Sequence, residues 1–382
     1  MRRNTMHEDS TVLSLEGRSI EVSLIPPSDK DLNQCDIAKL MRVGDYAPWN
    51  KESSRYWDKG NDVLYQFCEK YPLPKTLDST DIKREEHIFA SKMWLIGRSY
   101  AASPERYAYS GDSSKPKEKS GEGYESFFGD IAHILFTGEA VYRSNKNLNN
   151  REALCAKKAF NDAIKKIAKV LREHTFYFEN GDTSNGKEGL EKYASEIAAC
   201  VCDVAGAIRL ARFARDMVIK DSNGEESEKK AVELEDQYFP LSFSSKFLHF
   251  HYPQLVYIFD SIAGDNMSPA KRVNRYLDDN SRFSLYIKPG FDQGIVEQGR
   301  RKDNVAKYKI HVIKELAVAK AVYETFVAKD EHLMDALNHG KLEAVRDDPI
   351  PCYYNITRMV DALVTNARKS PNQTSSQSTS TT

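Results

Sequence analysis

A chain of 382 residues is long enough to bury a large core and, at roughly 100–200 residues per domain, to hold two or three units. With 40% hydrophobic and 29% charged residues it has the balance of a soluble globular protein, and a formal net charge of −1 leaves any nucleic-acid contact to a local patch. No apolar run approaches the ~18 residues of a membrane span, and MRRNTMHEDS lacks the apolar stretch of a secretory signal, so a cytoplasmic protein is expected.

Residues 11–25 (TVLSLEGRSIEVSLI) alternate apolar and polar around Gly17, which predicts a small β-hairpin or an irregular arm. From Asp31 to Tyr71 the pattern is helical but broken at Pro48-Trp49-Asn50, and Trp49, Tyr56 and Trp57 are expected to pack this region. Pro72, Pro74 and Asp78-Ser79-Thr80 introduce a helix over about 81–102, with Ile88, Phe89, Met93, Trp94, Ile96 and Tyr100 on one broad apolar face. Two readings of its end stay open. It is a core helix with solvated arginines, or Trp94, Arg98 and Tyr100 border a pocket for a planar aromatic ligand.

Residues 108–122 read as an exposed loop, followed by helices at about 123–142, 149–174 and 188–219. The last carries EIAACVCDVAGAIRLARFARDM, nearly all small and aliphatic, and is expected to be central. The six cysteines (Cys35, Cys68, Cys155, Cys200, Cys202, Cys352) form no C-x-x-C pair, and His133 has no neighbouring ligand. Buried thiols in a reducing compartment, without metal or cofactor, are expected. An acidic break at 220–236 then leads to the most informative stretch.

That stretch is YFPLSFSSKFLHFHYPQLVYIFDSIA, Tyr238–Ala263. Ser242, Ser244 and Ser245 are predicted to cap a short apolar helix with Lys246 in its first turn, Pro253 to close it, and an extended run Leu255–Phe259 to deliver Asp260. A carboxylate emerging from so apolar a run needs a partner or a task. Downstream, 268–277 reads as a helix with Pro269 at its first position, and SRFSLYIKPGFDQG as loop or short strand. Arg300, Arg301, Lys302, Lys307 and Lys309 form a basic cluster, either a solvated face or a phosphate contact. Helices follow at 303–328, 331–346 and 354–367, and a low-complexity tail from residue 368 is expected to be disordered. This pattern divides the chain into an N-terminal region (1–107), a helical body (123–367) and the tail (368–382).

Pro240-Leu241 ahead of Ser244-Ser245-Lys246, with Phe259-Asp260-Ser261 after the extended run, resembles the catalytic segment of the helix-hairpin-helix DNA glycosylase superfamily, 8-oxoguanine glycosylase-like in particular. In that family a hairpin L-P-G-x-G-x-K opens a helix and an aspartate ends an extended segment. The likeness spans about 26 residues. The hairpin glycines are replaced by Leu241, Ser242 and Ser244, and the histidine usual after the aspartate is missing. Lys246 and Asp260 stand 14 residues apart, fewer than is usual.

The resemblance implies a mainly α, two-lobed helical protein with a small N-terminal β element, its catalytic segment at a cleft. It implies excision of a damaged or modified base from DNA. Asp260 would stabilise the sugar cation or orient the nucleophile. Lys246 would attack the anomeric carbon and add lyase activity. Ser244, Ser245, Arg300, Arg301 and Lys302 would hold DNA, and Trp94, Arg98, Tyr100 and Tyr257 would line the base pocket. The divergent hairpin points to an unusual substrate, such as a bulky modified base in foreign (phage) DNA, and hence to antiviral defence beside repair. The alternative is a non-enzymatic helical protein that binds nucleic acid or a partner through residues 300–309.

Overall fold

The computed structural model describes residues 10–15, 18–25, 55–75, 77, 81–99, 124–139, 150–173, 186–221, 239–260, 272–278, 281–287, 304–325, 327–329, 331–339, 341–342, 352–353, 355–365 and 367–369. These are mainly helical: α1 (Arg55–Lys70), α2 (Ile82–Ser99), α3 (Tyr124–Thr137), α4 (Asn150–Glu173), α5 (Gly186–Asp221), α6 (Leu241–His251), α7 (Asn304–Thr325), α8 (Glu331–His339) and α9 (Ile356–Thr365). No helix among them is long and apolar enough to cross a membrane. The chain divides into two compact units, one made of Met1–Val63, Phe176–Ala198 and Pro253–Thr382, the other of Leu64–Thr175 and Ala199–Tyr252.

The second unit is built on phenylalanine. Phe89 of α2 meets Phe136 of α3, Phe160 of α4 and Phe247 of α6 with ring centroids 5.1–5.2 Å apart, and Phe243 of α6 lies 6.0 Å from Phe247 and 6.5 Å from Phe128 of α3. All are buried, and aromatic rings at tilted and edge-on angles add specific attraction to the area they bury. Gly97 lets α2 approach this cluster, since a Cβ there would stand 3.1 Å from the Phe128 ring. The buried Arg215–Asp130 pair (2.8 Å) joins α5 to α3, with the guanidinium over Phe127. α3 was expected to run to 142 but stops at Thr137. Gly138, at φ 72°, takes the left-handed turn, and its N–H bonds the Ile134 carbonyl at 2.9 Å.

In the first unit α7 packs against α9 and against two strands, β1 (Ser10–Leu15) and β2 (Arg18–Ile25). These belong to an antiparallel sheet of order β1-β2-β4-β3-β7, with β3 at Arg272–Asp278, β4 at Ser281–Ile287 and β7 at Ala367–Lys369. Of the helix expected over 268–277, residues 268–271 lie outside the described residues and 272–277 are strand: the register Arg272↔Tyr286 through Asp278↔Ser281 gives their backbone groups partners on β4, which outweighs a local helix-start signal at Pro269. Likewise the helix expected over 331–346 ends at His339, and β5 (Lys341–Leu342) turns to pair with β6 (Cys352–Tyr353). β7 takes up residues 368–369 of the expected tail, and the rest of that tail lies outside the described residues. Asn355 caps α9, accepting from the Arg358 amide at 2.8 Å, and the Arg358 side chain forms a buried ion pair with Asp62.

Candidate functional site

α6 begins at Leu241, with Pro240 as N-cap and no side chain closing its first turn. The expected serine cap is therefore corrected. Ser244 and Ser245 lie inside the helix and are wholly buried, Ser245 bonding back to the Ser242 carbonyl at 3.0 Å. Lys246, 3% exposed, is the sixth residue of the helix, beyond the first turn in which the helix dipole acts. The two serines expected to hold DNA are thus inside the helix packing and not on its surface.

After α6, residues 253–255 form a turn; Leu255–Ile258 are buried and Phe259 and Asp260 half-buried, in backbone outside any helix or sheet. Their carbonyls need donors, and buried side chains supply them. The Tyr193 hydroxyl donates to Leu255 (2.8 Å), that of Tyr308 to Tyr257 (2.5 Å), and His311 Nε2–H to Ile258 (2.7 Å). Two of these donors come from one face of α7, at positions 308 and 311, and Glu315 continues that face one turn on. Asp260 thus follows a segment fixed by hydrogen bonds at three of its four preceding buried residues.

The electrostatics are unusual. His311 is wholly desolvated, which pushes its pKa down to about 4 despite the Ile258 hydrogen bond, so the ring is neutral. Glu315 is 2% exposed, and burial, then the charges of Asp361 and Asp260, raise its pKa well above the ordinary carboxylate range. Its Oε1 lies 3.3 Å from His311 Nε2, and its Oε2 has no hydrogen-bond partner among the described residues. Phe259 presents its ring to the edges of Tyr308 and His311 and lies under the exposed Lys307 ammonium, 5.3 Å from its centroid. Asp260 is thus in the electrostatic reach of a buried carboxyl whose neutral form is favoured and of a neutral imidazole.

The other expected residues are scattered. Tyr257 is buried, its ring within the core of the first unit and close to Tyr193, Glu315 and Tyr308, and not on an open pocket wall. Trp94, 36% exposed, and Arg98 are on α2 in the second unit, as is Lys246 on α6, while Asp260 belongs to the first unit. Tyr100, Arg300, Arg301 and Lys302 lie outside the described residues.

A second buried polar cluster escaped sequence reasoning. Lys92 of α2, 2% exposed, donates to the Tyr71 carbonyl and to His251 Nε2 (3.1 Å), whose Nδ1–H donates to Phe247 (2.8 Å). Burial lowers Lys92 to about 8 and His251 to about 3, and pushes the nearby Cys68 thiol up to about 12. Among the described residues no group of His, Cys, Asp and Glu is arranged to hold a metal ion. No protein family, curated protein or solved structure matches this chain.

Proposed function

We propose that this chain is a DNA N-glycosylase, acting in the cytoplasm, in which Asp260 supplies the carboxylate that the bond cleavage requires. The observation that supports it most is the pinning of the Leu255, Tyr257 and Ile258 carbonyls by Tyr193, Tyr308 and His311, which pre-organises the approach to Asp260. As the C1′–N bond breaks, its electron pair leaves with the base, positive charge develops on the sugar, and a carboxylate at that position stabilises it. Water then attacks C1′ and gives up a proton to the same group. Burial of Lys246 favours this water route over a Schiff base. The fold that goes with the proposal is two-lobed, helix-hairpin-helix glycosylase-like, with a small N-terminal β element that the pairing of residues 10–15 with 18–23 supports. The substrate class is a modified base, bulky ones of foreign DNA included.

The test is base release from duplexes carrying normal, oxidised, alkylated or hypermodified bases, run with borohydride trapping. Asp260→Asn is expected to lower release by on the order of 10²-fold or more, the scale of a lost charge-stabilising group. Lys246→Ala is expected to leave release largely intact with no trapped adduct to lose. If the unmodified protein releases nothing from any duplex, the glycosylase reading fails and the binding-protein alternative takes its place.

A further inference from the structure

His311 Nε2–H has two acceptors in reach, the Ile258 carbonyl at 2.7 Å and Glu315 Oε1 at 3.3 Å. An ionised carboxylate is the stronger acceptor by about twofold and would draw the hydrogen to itself. The observed distances run the other way, as they should when the carboxyl is neutral and leaves the hydrogen to the carbonyl. The surroundings agree. Glu315 is buried with Oε2 unpartnered, a setting in which a charge would be stranded. Among the described residues, the titratable and charged groups around it are His311 and Lys314 on its own helix, Asp260 and Tyr257 on the segment after α6, and Asp361 on α9. The two nearby carboxylates oppose a third charge. The His311 ring also meets that of Phe259, the residue before Asp260, in an edge-to-face contact with centroids 4.9 Å apart, so a shift of the imidazole reaches Asp260 through both backbone and ring.

We propose that Glu315 is the positioning acid of the Asp260 site: as an uncharged carboxyl it leaves His311 on the Ile258 carbonyl, and its ionisation pulls His311 away and frees the Ile258–Asp260 segment. The site thereby carries its own alkaline switch. Only the activity readout rests on the glycosylase reading; the switch itself is a property of these side chains.

Glutamine mimics the neutral acid and cannot ionise, so full-length Glu315→Gln separates the possibilities. Three readouts are compared with the unmodified chain across pH 5 to 10: base release, thermal unfolding, and the nitrogen shift of His311 Nε2 by NMR. Glu315→Gln is expected to keep release at neutral pH within a few-fold and to lack the alkaline fall of the unmodified chain, whereas Asp260→Asn is inactive throughout. The His311 signal is expected to move with alkaline pH in the unmodified chain and to stay fixed in the variant. A folded Glu315→Gln that loses release on the order of 10²-fold would make Glu315 a reacting acid or an essential anion, and overturn the proposal. So would His311 signals that move alike in both chains. If the unmodified chain releases no base at any pH, the glycosylase reading falls alone, and the His311 signal together with unfolding still decides on Glu315.

Discussion

The Ser244 hydroxyl is buried in α6 and has no hydrogen-bond partner among the described residues, a defect worth about 1–3 kcal/mol. Ser244→Ala removes the oxygen and keeps the rest of the shape. Its expected effect is an unchanged or higher unfolding midpoint, up to roughly 1 kcal/mol of added stability, and a fall would show that the hydroxyl is bonded after all. Lys92 poses the opposite case: it is buried but satisfied, by Tyr71 and His251. Its pKa is lowered from 10.5 to about 8, so the stability linked to its neutral form is full above 10.5, declines as pH falls toward 8, and is level below that. Lys92→Met has no such titration. The stability of the unmodified chain relative to Lys92→Met is therefore expected to rise between pH 8 and 10.5, by urea unfolding at stepped pH. A gap that does not change across that window would mean the amine is not held back from protonation.

At the scale of elements, α6 differs from an ordinary amphipathic helix because nine of its eleven residues are buried. Phe247, fully buried, touches Phe89 and Phe243, so Phe247→Ala opens a cavity in the aromatic cluster. The expected loss is about 3–5 kcal/mol, read from chemical unfolding; under 1 kcal/mol would mean the cluster closes around the gap. The burial of α6 was only half legible in its sequence. LSFSSKFLHFH shows the apolar residues, but its serines looked like a cap because local chemistry favours them there, and only the surrounding helices reveal that they are inside. The helices at 150–173 and 186–221 were plain, since long periodic stretches carry their own evidence. Residues 272–278 were not, because a strand is defined by its partner. In the candidate site, Asp260 was visible as a carboxylate after an apolar run. Glu315 and His311 were overlooked, although titratable residues four apart inside HVIKELAVAKAV are a signal that this helix buries polar groups.

For the molecule as a whole, each unit carries a different balance of buried protons. In the second unit His251 is neutral when folded, at about 3, against 6.5 in an unfolded chain. A depressed pKa gives stability that is full above 6.5 and is lost as pH falls toward 3, at about 1.36 kcal/mol per pH unit where only the unfolded chain is protonated. His133, whose pKa is raised by its Glu86 hydrogen bond, is protonated in both states below about 6.5 and leaves that slope alone. In the first unit His311 has the same sign as His251, at about 4, but Glu315 has the reverse. A raised carboxyl contributes stability that is full below 4.5 and lost as pH rises, so Glu315 opposes the His311 slope. Native-state hydrogen exchange, corrected for intrinsic rates, is expected to show protection at Phe136 and Phe247 falling roughly tenfold per pH unit from 6 to 5, while Tyr308 and Val312 fall less steeply. His251→Gln should flatten the first pair, and Glu315→Gln should unmask the His311 slope in the second. A common slope at all four amides, unmoved by either substitution, would show that the two units do not carry separate proton balances.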